Sequence, residues 1–281
     1  MVDSLTFLNS LGAELTFGNT LPFLFTDLEG LGAEPVTLQT SKAFAQDGCD
    51  YFGTLSEPRL IRFRAHVGGD TKEAHNAARK LFSRVFAPKL ETGMLTLRRG
   101  YSPEDAYIIE AKVYDGPHDI PSKSEYVSIY EVGLHCHYPF FRSAIQYGQK
   151  LIGFDGGLAF PVAFPITFGA QGTTADINCE SALPTPFVVT FTGGAENPKL
   201  EKINTGEYIQ LDKNLLEADV LVIDTTPNNI RVLVNGEDAF NYVNANNKYF
   251  QLTPGINTLR FSATSGNPEA TLQWRNAYSG I

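Results

Sequence analysis

The sequence predicts two domains of different class: an α+β half, β-rich with a single clear helix, followed by an all-β antiparallel sandwich. Three observations lead there. The chain has 281 residues, enough for two cores of ordinary size. Its first half breaks a series of strand-like runs with one helical stripe. Its second half is strand after strand separated by turn chemistry, with no helical pattern.

In the first half the candidate strands are Leu5–Asn9, Pro35–Gln39, Arg59–Val67, Met94–Arg98, Ala106–Tyr114 and Tyr126–His137. The helix starts near Asp70-Thr71-Lys72-Glu73, where an Asp or Thr cap is followed by an acidic first turn. Ala74, Ala77, Ala78, Leu81, Phe82 and Val85 follow helical spacing and are expected to face the core. Pro88 stops the helix, because an interior proline loses a hydrogen bond and clashes with the preceding turn. Residues 139–160, with Tyr138-Pro139-Phe140-Phe141 at the start and Gly153, Gly156 and Gly157 beyond, are read as a connector. The expected domains are therefore 1–138 and 161–281.

The second half reads as Pro161–Phe168, Phe187–Thr192, Leu200–Ile203, Glu207–Leu211, Val220–Asp224, Ile230–Val234, Tyr249–Leu252, Thr258–Ala263 and Ala270–Arg275. Asn204-Thr205-Gly206 and Asn235-Gly236 mark hairpins, and Pro254-Gly255 a tight turn. Strands at such short spacing are the pattern of a β-sandwich. Trp274, the sole tryptophan, shares a strand face with Leu272 and is expected in the core rather than on a sugar-stacking platform. The chain is expected to stop as this last strand ends.

A formal charge of −9 argues against a dedicated nucleic-acid binder, which carries a basic footprint. No stretch approaches the ~18 apolar residues of a membrane span, and Met1-Val2-Asp3-Ser4-Leu5 lacks the regions of a signal peptide. Cys49, Cys136 and Cys179 are too scattered for a disulfide framework and are expected to be reduced thiols of a protein made in a cytosol.

Catalytic motifs are missing: no Gly-x-Ser-x-Gly elbow, phosphate-cradling loop, His-Glu-x-x-His or Cys-x-x-Cys. In His135-Cys136-His137 two of three side chains share a strand face, short of the usual four zinc ligands, so a plain strand is preferred. Asp224, Glu104 and Asp105 read as turn residues. No catalytic, cofactor or metal site is expected. In Arg59–Val67, alternation sends Ile61, Phe63, Ala65 and Val67 to a core. Arg62, Arg64 and His66 form a cationic stripe on the other face, and Arg98-Arg99 adds charge at the end of another strand. The plain reading of these arginines is a solvated or salt-bridged face. The functional reading is a subunit interface, or the wall of a channel through which DNA passes.

Several blocks then converge on one family. Pro161–Gly169, Pro186–Gly193, Ile203–Leu211, Asp219–Thr225, Leu252–Phe261 and Leu272–Ile281 resemble, in content and order, the distal tail protein (Dit) family of siphophages. Gly32–Val36, Asp47-Gly48, the strand with Arg62, the helix from Asp70 and Gly93–Leu97 extend the likeness, more loosely, over the first half.

The resemblance implies a non-enzymatic virion protein of the phage tail tip, made in the host cytoplasm and without cofactors. Its first domain would form a homohexameric ring, single or stacked, and its second a galectin-like or carbohydrate-module-like sandwich. The ring would join the major tail (tube) protein to a tail-associated lysin, tail fibre or tape-measure protein. DNA would meet it only in transit, and no membrane is implied. The strand spacing leaves no room for an inserted sugar-binding module of the kind some relatives carry. The competing reading is a carbohydrate-binding module for host-surface glycans, and a third is a glycoside hydrolase fragment, which would need two carboxylates facing across a cleft.

Overall fold

The computed structural model describes residues 2–122, 124–152, 172–227, 229–266 and 268–281. The sequence-predicted strand Pro161–Phe168 and the connector glycines at 153, 156 and 157 lie outside the described residues. The chain divides into two compact units, Met1–Ile145 with Tyr278–Ile281, and Gln146–Ala277.

The first unit is built from β1 (Ser4–Leu8), β2 (Glu14–Phe17), β3 (Phe23–Glu29), β4 (Val36–Ser41), β5 (Asp50–Ser56), β6 (Arg59–Gly68), α1 (Lys72–Val85), β7 (Gly93–Arg98), β8 (Ala106–Ile120), β9 (Val127–Cys136) and β10 (Phe141–Ser143). Seven strands run β2-β1-β7-β8-β9-β6-β3, all pairs antiparallel, with β10 added on β8. The two ends of this path, β2 and β3, meet at a bridge between Gly18 and Leu24. The sheet therefore curls into an incomplete barrel, and its concave face needs a filling.

Phenylalanine supplies much of it. Phe17 on β2 meets Phe63 on β6 edge-on at 5.6 Å, while Phe82 of α1 stacks on Tyr130 of β9 at 4.7 Å. Phe7 stacks on Phe86 at 5.0 Å. Such pairs add about 0.5–1.5 kcal/mol each beyond the area they bury. The alternation read in β6 is observed: Ile61, Phe63, Ala65 and Val67 are buried and Arg62 and Arg64 exposed.

Thr71 is the cap of α1, its hydroxyl accepting from the Ala74 amide at 3.1 Å. Glu73 in the first turn and Arg84 in the last suit the helix dipole, and the helix ends two residues short of Ala87-Pro88. The buried face, however, is narrower than the apolar stripe. His75, Ala78, Phe82 and Val85 are buried, whereas Ala74, Ala77 and Leu81, expected in the core, are exposed. The helix meets the sheet along one flank, and two alanines and a leucine on the other flank are left facing outward.

Sequence reading missed β2, β3, β5, β10, β11 (Tyr147–Ile152) and β12 (Gly172–Cys179), and residues 141–143 and 147–152 are strand where a connector was expected. Their aromatic and glycine-rich composition hides an alternation that neighbouring strands impose: Phe141 and Ser143 are buried with Arg142 between them, and β11 pairs with Glu269–Trp274.

In the second unit, β11, Glu269–Trp274, β13 (Phe187–Thr192), Val220–Asp224, Arg231–Val234 and Glu237–Asp238 form one antiparallel sheet in that order. A second sheet runs β12 (Gly172–Cys179), Gly255–Ser262, Lys199–Lys202, Glu207–Gln210. Phe191, Leu221 and Leu272 from the first and Leu200, Ile209 and Phe261 from the second belong to one core. That shared core makes the unit a sandwich. Trp274 is buried as expected, stacked on Tyr147 at 5.9 Å.

The turns at Gly206, Asn235-Gly236 and Gly255 all use positive φ. Residues 249–251 are not a strand. Phe250 and Leu252 are buried, but pairing is confined to a bridge between Leu252 and Thr185. The fully buried Asn257 accounts for this. Its Oδ1 accepts from the Thr253 amide at 2.8 Å and its Nδ2 donates to the Thr253 and Gly255 carbonyls, bending the chain at Pro254-Gly255.

The chain does not stop with its last sandwich strand. After Trp274 it runs on, and residues 278–281 belong to the first unit, where Tyr278 packs edge-on against Tyr107 at 5.4 Å and Ile281 N–H bonds Leu31 O.

Candidate assembly site

Four arginines were singled out by sequence, and the first unit places them in two groups. Arg62 and Arg64 stand on the outer face of β6. Arg62 lies opposite Glu29 on β3, and Arg64 opposite Glu131 on β9. Directly opposed residues share a sheet face, so the stripe is interleaved with carboxylates. Arg64 also makes an ion pair of 2.8 Å with Asp27, both side chains more than half exposed. His66 continues the row, its Nε2 3.0 Å from the Thr26 hydroxyl. Pairs this exposed contribute about 0–1 kcal/mol to folding, which leaves the row free to serve contacts outside the chain.

Arg98 ends β7, Arg99 follows it, and both are exposed. Arg99 joins Asp27, Val2, Phe25 and Leu31 in lining a depression of about 420 Å³. Asp27 is thus common to the surroundings of Arg64 and Arg99. It sits at the irregularity between Thr26 and Glu29 with φ 51°, an unusual backbone for a residue with a side chain.

The arginine that sequence reading passed over is Arg59. It is 2% exposed, lies on the core face of β6, and faces Cys136 across the ladder to β9. Its Nε donates to Pro139 O at 2.7 Å, Nη1 to Gly30 O and Gly32 O at 2.7 and 2.6 Å, and Nη2 to Ser279 O. The guanidinium carbon lies 4.5 Å from the centre of the Phe141 ring. Burial pulls its pKa below the ordinary arginine value, with Cys136 and Glu34 opposing. Strand parity was the available signal: counting back by twos from Phe63 places residue 59 on the buried face.

Burial pushes the Cys136 thiol up to about 12 despite the neighbouring Arg59. Between pH 9 and 12 the folded chain therefore keeps a proton that the unfolded chain releases. This stabilisation is complete below about pH 9 and falls by ~1.4 kcal/mol per pH unit above it. Urea titrations near pH 8 and near pH 10 are expected to show that loss, with a smaller slope in Cys136→Ala. Cys49 is exposed while Cys136 and Cys179 are buried, so one thiol of the three is expected to react with a maleimide in the native protein.

The rings of His135 and His137 lie 4.5 Å apart, and no group of three metal-binding side chains occurs among the described residues. Asp224 is a turn residue as expected, Oδ1 accepting from the amide and hydroxyl of Thr226. Glu104 and Asp105 form a capped single turn after Ser102. The exposed Tyr242 ring has the Lys213 ammonium over it at 4.6 Å.

Residues 178–278, which take in the second unit from residue 178 onward, match the family described as siphovirus-type tail component, C-terminal domain. Over those residues the chain is similar to a siphovirus tail component domain. Its fold is shared from end to end with solved tail proteins. The Dit protein of phage SPP1, described as a paradigm of hub adsorption apparatus in phages infecting Gram-positive bacteria, superposes with a TM-score of 0.68 at 13% identity. That match covers 98% of this chain and 99% of the SPP1 protein. A chain of the phage P2 baseplate, in its activated conformation with calcium, matches with a TM-score of 0.53 at 11% identity, covering 100% of both chains. A search of curated proteins found no match. The similarity to a tail component domain lies in the second unit, whereas the arginine groups lie in the first.

Proposed function

We propose that this chain is the distal hub of a siphovirus-type tail, with six copies closing into a ring around a channel for DNA. The observation that supports this reading is the coverage of both solved tail proteins over essentially their full lengths, joined to the similarity of the second unit to a tail component domain. The first unit forms the ring and the second, a galectin-like sandwich, is its appendage. The ring joins the tail tube protein to the tail-associated lysin, fibre or tape-measure protein, works in the virion tail tip, and neither catalyses a reaction nor uses a cofactor.

Arg62, Arg64, Arg98 and Arg99 face a neighbouring subunit or the channel. Glu29, Asp27 and Glu131 beside Arg62 and Arg64 keep that surface near balance, and a balanced wall lets DNA slide without holding it. Replacing both Arg62 and Arg64 with glutamine is expected to change folding stability by no more than about 1 kcal/mol. The same variant is expected to lower ring yield in light scattering or slow DNA ejection from reconstituted virions. Normal rings together with normal ejection would remove these arginines from the assembly site.

A further inference from the structure

Two apolar surfaces of the first unit have no cover within the chain among the described residues. One is the ribbon β4–β5, a two-stranded sheet of its own. Val36, Leu38, Phe44, Tyr51, Phe52 and Leu55 are all exposed on it, Leu38 at 59% and Phe52 at 71%. The pairing of Leu38 with Thr54 and of Tyr51 with Thr40 puts Val36, Leu38 and Tyr51 on one face. An isolated two-stranded ribbon is marginal in water, and a run of exposed apolar side chains on one marks a contact surface.

The other surface is the outward flank of α1. Ala74, Ala77 and Leu81, with Leu21 and Phe23, line a groove of about 410 Å³.

The two surfaces fit each other in length and charge. Six residues of strand span ~20 Å, and the fourteen residues of α1 span ~21 Å. From residue 34 to residue 57 the ribbon and its base carry one basic side chain, Lys42, against Glu34, Asp47, Asp50 and Glu57. On α1, helical spacing sets Lys80 and Arg84 three residues beyond Ala77 and Leu81, toward the C-terminal half of the flank, while Asp70 lines the groove at its other end.

We propose that the β4–β5 ribbon of one copy lies in the α1 groove of a second copy of this chain, with Asp47 and Asp50 facing Lys80 and Arg84. Donor and acceptor are different patches, so the contact is heterologous and repeats from copy to copy until a ring closes. It covers two apolar surfaces at once and gives direction to the ring. This inference rests on the ring reading under Proposed function and specifies its interface.

The test uses the full chain and native mass spectrometry. Asp47→Lys with Asp50→Lys, and separately Lys80→Glu with Arg84→Glu, are expected to abolish the wild-type ring. Combining all four substitutions in one chain is expected to restore it, because a basic ribbon then meets an acidic groove. The substituted side chains are exposed, so an unchanged circular dichroism spectrum and thermal midpoint keep each variant interpretable. Rings that persist in both paired variants, rings not restored by the four-fold variant, or loss of binding to another tail protein with rings intact would each overturn the proposed contact. These outcomes leave the ring itself standing. A wild-type chain that stays monomeric would instead overturn the ring reading along with its interface.

Discussion

Phe17→Ala is expected to destabilise the first unit by about 3–5 kcal/mol, the range for emptying an aromatic site in a packed core. Phe17 has no exposed surface, and its ring lies 5.9 Å from Phe23, 5.6 Å from Phe63, 5.8 Å from Phe86 and 6.2 Å from Phe82. Those partners sit on β3, on β6 and on or just after α1. Phe17 itself ends β2, at the place where the curled sheet meets its other edge through Gly18 and Leu24. One side chain therefore joins both sheet ends to the helix. Neighbours drawn from so many elements cannot all move inward at once, which keeps the cavity open and the loss near the upper part of the range. Guanidinium denaturation followed by circular dichroism measures the change. Hydrogen exchange of the β6 amides locates it. A loss below about 1 kcal/mol would show that the site collapses and that the helix is held by other contacts.

Arg59→Ala is expected to cost on the order of 4 kcal/mol. The reason is less the lost charge than the four carbonyls it leaves behind, since each buried acceptor without a donor costs about 1–3 kcal/mol. Pro139, Gly30, Gly32 and Ser279 come from three separated parts of the chain, and the guanidinium gathers them over Phe141. Arg59→Lys is expected to recover less than half of the loss, because a single ammonium cannot reproduce the planar fork. The same site explains Gly280. A Cβ there would lie 2.7 Å from the carbonyl carbon of Gly32, so Gly280→Ala is expected to free residues 278–281 from the first unit. Proteolysis of the C-terminus, followed by mass spectrometry, reads that release. Arg59→Ala with unchanged stability and a protected C-terminus would contradict the clamp.

What could be read in the sequence was whatever one-sided burial writes as a period. β6 alternates because one face meets phenylalanines and the other meets solvent. The Thr71 cap, the Asn235-Gly236 hairpin and the burial of Trp274 are local or nearly so. Features set by distant partners were not legible. The outward flank of α1 looks like a core face, since Ala74, Ala77 and Leu81 have core composition, and only the position of the sheet separates them from Ala78 and Phe82. Arg59 was hidden because a charged residue is assumed to face water unless its partners are known. Strand β10 and the return of residues 278–281 depend on pairing and on carbonyls far away in the chain. Among the candidate arginines, the sequence separated Arg62 and Arg64 from the core. It did not reveal the carboxylates that lie opposite them, because those come from β3 and β9.

Electron microscopy of the purified full chain tests the central claim most directly. Class averages should show closed rings with six-fold symmetry and a central hole. Particles that remain single copies across a wide range of protein concentration, or open filaments without closure, would contradict the account of this chain as a tail hub.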